Sequence, residues 1–378
     1  MNLAIDVPIV QASVSQKINL LSMDKSGLES WLATMNEPRF RADQILKWVH
    51  QKKCFDFEQM TNLKQSLREK LSTTCAIKLP KMAREFKSND GTIKWLFEPF
   101  ETNNNLIETV YIPEDNRATL CISSQIGCIL DCHFCHTGRQ GFNRNLNAAE
   151  IIGQVLAAQI ILEKNPTPLQ PITNIVYMGM GEPLLNEKNV LISLNLLLDT
   201  HDFSKYRVTI STVGIIPAMR RLKTLSQASL ALSLHAPNDS LREKLMPINQ
   251  KYPLKDLLDV CKSYFDDQKR RKVTIEYIMI DQINDQPEHS KQLIKLLSTL
   301  PCKINLIPFN PFPGSSFKAS KRENLMRFQK TMMNAGFITT IRKQRGNDIA
   351  SACGQLAGMV QNKKTKFSKP LDQTARER

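Results

Sequence analysis

The sequence predicts an α/β fold in which an open partial barrel of six βα units follows a helical module and a small β extension. Three observations predict it. Strand-like and helix-like hydrophobic periods alternate six times between Ala118 and Ala335. The residues before Gly91 carry helical spacing, and between Gly91 and Ala118 the period is two. Alternation of the first kind makes parallel sheets with right-handed crossovers, and loops at the strand C-termini then carry function.

Each element has its own signal. In residues 1–90, Leu28, Trp31, Leu32 and Met35 keep helical spacing, followed by Phe40, Ile45, Leu46 and Trp48, and then by Phe57, Met60, Leu63, Leu67 and Leu71. Residues 91–117 form the β extension, with strands at Thr92–Phe97 and Leu106–Ile112 separated by Asn, Asp and Pro turns. The barrel, with a C-terminal segment, spans 118–360. Its strands are Ala118–Ser123, Thr173–Met178, Arg207–Val213, Ser229–His235, Lys272–Ile280 and Lys303–Phe309. The helices after them are Ala148–Glu163, Glu187–Leu198, Pro217–Leu225, one near Leu241, Glu288–Leu300 and Arg322–Ala335, and a further strand, Phe337–Lys343, leads toward Cys353. Residues 361–378 read as a basic tail.

Composition bounds the partners. The chain has 378 residues, 42% hydrophobic and 23% charged, which excludes wholesale disorder and collagen-like folds. With 51 Lys+Arg against 36 Asp+Glu the formal charge is +15, a surplus that concentrates polyanions, nucleic acid above all. Local runs add to it, at Lys269–Lys272 and in the tail after Gln361. No run of 18 apolar residues and no signal peptide is visible, so no membrane and a cytoplasmic location are expected. Nine cysteines, three of them within eight residues, suit metal ligation in a reducing compartment.

The densest feature is Cys128, Cys132 and Cys135, spaced C-x3-C-x2-C directly after the first barrel strand. Zinc sites use four ligands, commonly in paired C-x2-C groups, and His133 or His136 would have to be recruited here. A cubane iron-sulfur cluster held by three cysteines instead keeps one iron open for a substrate. The spacing and its place in the barrel resemble the radical S-adenosylmethionine (SAM) superfamily. The stretch Cys121–Asn145 is similar to the RlmN family of dual-specificity RNA methyltransferases within it, as are Gly179–Asn186, Ser233–Asp239, Asn305–Gly314, Arg345–Leu356 and, in the helical module, Phe40-Arg-Ala-Asp-Gln. Departures are confined to His136, where a small polar residue is usual, and Ser351, where Ala is common.

The resemblance implies a radical SAM barrel and assigns roles. Cys128, Cys132 and Cys135 would hold one 4Fe-4S cluster with an open iron for the amino and carboxylate groups of SAM. Glu182, at the second strand end, suits the SAM amine, and Gly179 and Gly181 permit close backbone approach. Ser211, Ser233, Leu234, His235 and Asn310 would contact the rest of SAM. Cys353 would carry a methyl group as S-methylcysteine, Cys121 would be the resolving thiol that leaves a transient Cys121–Cys353 disulfide, and Glu108 would accept a proton. Two SAM would be used for each methyl placed on C2 of adenosine in 23S rRNA and in certain tRNAs. An electron-donor protein such as flavodoxin would supply electrons, and a monomer is expected.

Three other readings stand beside this one. A Cfr-like enzyme would share every catalytic part and methylate C8. An RNA-binding protein with a structural metal would not cleave SAM. A radical SAM enzyme acting on a small molecule would leave the positive charge and the helical module unexplained. Cys54, Cys75, Cys261 and Cys302 read as small buried hydrophobes.

Overall fold

The computed structural model describes residues 17–361 except Asn103, Pro168, Asp202, Gln227, Asp267, Lys269 and Arg270. The basic tail after Gln361 and half of the Lys269–Lys272 cluster therefore lie outside the described residues. One ten-stranded sheet dominates. Its strands are β1 (Lys81–Lys87), β2 (Ile93–Glu98), β3 (Ile107–Glu114), β4 (Arg117–Cys121), β5 (Asn174–Tyr177), β6 (Val208–Thr212), β7 (Ser229–Ser233), β8 (Val273–Met279), β9 (Cys302–Pro308) and β10 (Ile338–Ile341), and their spatial order follows the chain.

From β4 to β10 every pairing is parallel. The crossovers carry helices Ala148–Glu163, Glu187–Asp199, Ile216–Leu225, Asp239–Leu245 with Leu254–Ser263, Pro287–Leu297 and Arg322–Asn334. Helix Leu254–Ser263 is one more than the sequence pattern predicts, although Pro253 before an apolar period of LxxLLxV type is a start signal. The parallel strands do not close into a ring, because β10 ends the sheet on one side and β3 continues it past β4 on the other. Along β6 Val208, Ile210 and Thr212 are buried while Thr209 and Ser211 are less so. Thr209, with Asn174, Thr274, Glu276, Asn305 and Thr340, lines a groove of about 580 Å³ of mixed polar and apolar walls.

The β extension is larger than its sequence pattern indicates. β1, β2, β3 and β4 pair antiparallel in succession, so the extension continues the barrel sheet and begins at Lys81, inside the stretch read as helical module. The reason is exposure: β1 is an edge strand, Lys-Met-Ala-Arg-Glu-Phe-Lys, exposed along its whole length, and such a strand has no buried face to impose alternation. The module before it packs on one core with the barrel. Asp24 caps helix Lys25–Ala33 through the Gly27 N–H at 3.0 Å, and its other oxygen accepts from Asn195 at 2.8 Å, which joins the module to helix Glu187–Asp199. His50 Nδ1 meets His201 Nε2 at 2.9 Å across the same junction.

Candidate active site

The loop after β4 is shaped before it reaches its cysteines. Gln125–Gly127 pairs antiparallel with Phe142–Asn145, and the Cys128 N–H donates to Gly141 O at 2.9 Å. Gly127 has φ 74°, and a Cβ there would lie 2.0 Å from Gly141 O, so only glycine permits this closure. Behind the loop, buried Glu150 accepts from Phe100 N–H (2.7 Å), Asn147 N–H (2.8 Å) and both terminal nitrogens of Arg144 (2.7 and 2.8 Å), tying hairpin, helix start and β extension together.

Cys128, Cys132 and Cys135 line a cavity of about 150 Å³ at the C-terminal ends of the parallel strands. Gly179, Gly181, Glu182, Ser211, Ser233, His235 and Cys353 line the same cavity. Burial pushes the Cys132 thiol well up, and the sulfurs of Cys135 and Cys128 add to it. Among the described residues no three His, Cys, Asp or Glu side chains converge to hold a single metal ion. His133, whose Nδ1 lies 2.7 Å from Lys244 O, and His136, which stacks on Phe312, do not line this cavity. Three thiols spread around one hollow fit a polynuclear cluster, in which each thiolate takes its own iron, better than a single ion.

Glu182 is buried and its carboxylate is held from three sides. Thr212 Oγ1 (2.7 Å) and Leu184 N–H (3.1 Å) donate to Oε1, and Val213 N–H donates to Oε2 at 3.0 Å. Burial nevertheless pushes the carboxyl up to about 7. Gly181 before it has φ 98°, and a Cβ there would stand 2.5 Å from Gln125, whose side chain accepts the Glu182 N–H. His235, also at positive φ (61°), accepts Ile278 N–H at Nδ1 (3.0 Å), and burial lowers it to about 3, so the ring is neutral and Nε2 carries the proton. Leu234 does not line the cavity: it is fully buried, with its N–H bonded to Glu276 O. Asn310 sits one step away, donating to Cys353 O at 3.3 Å and accepting from Gln344 at 2.9 Å.

The remaining pair lies 232 positions apart in sequence, 353 minus 121, yet close enough for one sulfur to bear on the other. Cys121 ends β4, and burial pushes its thiol up to about 12, with the neighbouring Cys353 sulfur adding to it. Burial raises Cys353 too, while the Arg342 guanidinium opposes the rise. None of the nine cysteines is in a disulfide, so the Cys121–Cys353 bond that the resemblance implies is not formed in this structure. Glu108 is buried on β3, 3.4 Å from Lys94 Nζ, and its charge also bears on Cys121. Reading the sequence passed over Arg342, Glu276 and Lys94. Each had a signal: Arg342 follows a strand end, and Glu276 and Lys94 interrupt largely apolar strands, Val-Thr-Ile-Glu-Tyr-Ile-Met and Ile-Lys-Trp-Leu-Phe-Glu.

A sequential parallel sheet, a three-cysteine loop after its first parallel strand and a cavity at the strand C-termini define a radical SAM protein, and residues 122–294 match the Radical SAM superfamily. Residues 18–77 match the ribosomal RNA large subunit methyltransferase N-terminal domain. The chain is 51% identical to the dual-specificity RNA methyltransferase RlmN of Marinobacter nauticus over 353 residues, 92% of this chain and 95% of that protein. It resembles the crystal structure of a radical SAM methyltransferase from Sphaerobacter thermophilus with a TM-score of 0.81 and 39% identity, covering 90% of this chain and 99% of that one. The chain belongs to the RlmN family of dual-specificity RNA methyltransferases. It is an enzyme, and its superfamily implies an iron-sulfur cluster and SAM. No helix among the described residues is long and apolar enough to cross a membrane.

Proposed function

We propose that this enzyme methylates C2 of an adenosine in 23S rRNA and in tRNAs, with Cys353 as methyl carrier and Cys121 as resolving thiol. The observation that supports this reading over a structural metal site is that Cys353 lines the three-thiol cavity while its sulfur and the Glu108 carboxylate bear on Cys121, and the choice of C2 over C8 rests on the kinship with RlmN. Cys128, Cys132 and Cys135 would hold a 4Fe-4S cluster, which when bound supplies the electron that cleaves SAM to a 5′-deoxyadenosyl radical. Glu182, with Gly181, Ser211, Ser233 and His235, would bind SAM. Leu234 and Asn310 act from behind, through backbone and through Cys353.

Adenine C2 is electron-poor and does not attack a methyl sulfonium directly. The Cys353 thiolate, favoured by Arg342, therefore takes a methyl group by displacement from one SAM. The methylated Cys353 would give a hydrogen atom to the 5′-deoxyadenosyl radical, and its methylene carbon would add to C2. Glu108 accepts the C2 proton while the odd electron of the adduct would return to the cluster, the Cys121 thiolate attacks the Cys353 sulfur to form the disulfide, and the C–S bond breaks with its electron pair on the methylene carbon, which takes up a proton as the methylated base departs. The disulfide left behind is transient in a reducing cytoplasm and is reopened by external thiol chemistry. Residues 1–90 and the tail, 361–378, serve RNA phosphates, an electron-donor protein such as flavodoxin feeds the site, and the enzyme works as a monomer.

The test is the Cys121→Ala variant. RNA should remain covalently attached through denaturation, and nuclease digestion should leave a nucleotide mass on the peptide containing Cys353. Free product at wild-type yield would remove Cys121 from the reaction. Turnover by Cys353→Ala would refute the sulfur route, and 8-methyladenosine in digested RNA would refute C2.

A further inference from the structure

The segment carrying Cys353 is fastened on both sides of that residue by one buried ion pair. Lys94, on β2, donates to Ala350 O at 3.2 Å, three residues before the cysteine. Glu108, beside it on β3, accepts the Gly358 N–H on Oε1 at 3.2 Å, five residues after. The two side chains meet at 3.4 Å, each less than a tenth exposed. Glu108 Oε2 is buried with no hydrogen-bond partner, so this carboxylate has an acceptor position unused by the protein. Two further features fit a held segment. Ala350 sits at φ 49°, a conformation that a residue with a Cβ adopts only when its surroundings impose it. At Gly358 a Cβ would stand 2.2 Å from Leu106 O, so the strap lies hard against the start of β3.

We propose that the Lys94–Glu108 pair is a latch that holds the Cys353 segment closed and opens when Glu108 takes the proton of adenine C2. The trigger rests on the reading of Glu108 as proton acceptor. In that step the C2–H bond breaks, its electron pair stays with the ring, and an O–H bond forms on the carboxyl. The pair then loses one of its two charges. Among the described residues Lys94 from β2 pairs with Glu108 and Cys121 from β4 feels its charge, and neither replaces the lost negative charge. A lysine in so little water is then poorly paired, and the cheapest relief is for its ammonium to leave toward solvent, releasing Ala350. Lys94 is thus a positioning residue: it touches no substrate, yet it ties loop release to the step at which the sulfur tether must be broken.

Amide hydrogen exchange on the full-length protein tests this, because the Gly358 N–H is itself one of the bonds concerned. Glu108→Gln keeps the side-chain shape and an oxygen for Gly358 but removes the charge. Exchange in the peptide 350–360 should rise about tenfold or more while helix Ala148–Glu163 stays protected. The double variant Lys94→Met with Glu108→Gln leaves no unpaired charge to unfold the protein and should behave alike, and Lys94→Arg should keep wild-type protection. RNA-adduct retention is measured on the same Glu108→Gln protein. Fast exchange with a retained adduct supports latch and trigger together. Wild-type exchange with a retained adduct overturns the latch and leaves Glu108 as acceptor. Fast exchange with wild-type product release removes Glu108 as acceptor and overturns the latch with it, and wild-type exchange with wild-type release overturns both.

Discussion

Glu182→Gln should weaken SAM binding by about one to two orders of magnitude. An ionised carboxylate offers about four lone-pair positions. In Glu182 two on Oε1 are taken by Thr212 and Leu184, and one on Oε2 by Val213, which leaves a single position on Oε2 for an incoming ammonium. The amide cannot preserve this set. With its NH2 at the Oε2 position it faces Val213 N–H donor to donor and offers the amine nothing. With its NH2 at Oε1 it faces the Leu184 N–H, and Oε2 remains as a neutral acceptor. Thr212 can adapt, since its hydroxyl also accepts from Gly214 N–H at 3.0 Å. A hydrogen bond to a charged group is worth about 1.5–3 kcal/mol, and each 1.4 kcal/mol is a factor of about ten in affinity. The assay is equilibrium SAM binding to the anaerobically reconstituted protein, with iron content measured alongside. Unchanged affinity at full iron content would show that Glu182 does not receive the amine.

Three more outcomes are expected. Alanine at Cys128, Cys132 or Cys135 should abolish cluster absorption and SAM cleavage, and full iron with SAM cleavage in all three variants would refute the ligand set. His50 and His201 share one short contact in a dry junction, where burial lowers His50 to about 4 and His201 well below its ordinary value. A histidine depressed in the folded state stabilises fully above the unfolded value near 6.5 and loses that contribution as pH falls toward 4. His50 alone should therefore cost about 2 kcal/mol between pH 7 and pH 5 in urea unfolding, and His50→Gln should flatten that dependence. RNA affinity should fall steeply with salt through counterion release, and deleting residues 362–378, with Lys363, Lys364, Lys366, Lys369, Arg376 and Arg378, should shallow the slope. An unchanged slope would make the tail a bystander.

The sequence by itself determined the chemistry carried by single loops and strands. Three cysteines within eight residues, Gly-Met-Gly-Glu at a strand end and six alternations of strand with helix are local patterns, because spacing along one loop or period along one element is set by covalent geometry and burial of a single face. Only the tertiary structure decided what those patterns meet. Lys94, Glu108, Ala350 and Gly358 are brought together by the pairing of β2 with β3 and by a strap that returns 250 to 256 residues later, and no local rule specifies such a contact. Arg342 enters the site because β10 joins the parallel sheet in register with β9, which brings the residue after it to the cavity. Strand β1 was illegible because an edge strand exposed along its length lacks a buried face, and it is burial that writes a period into sequence.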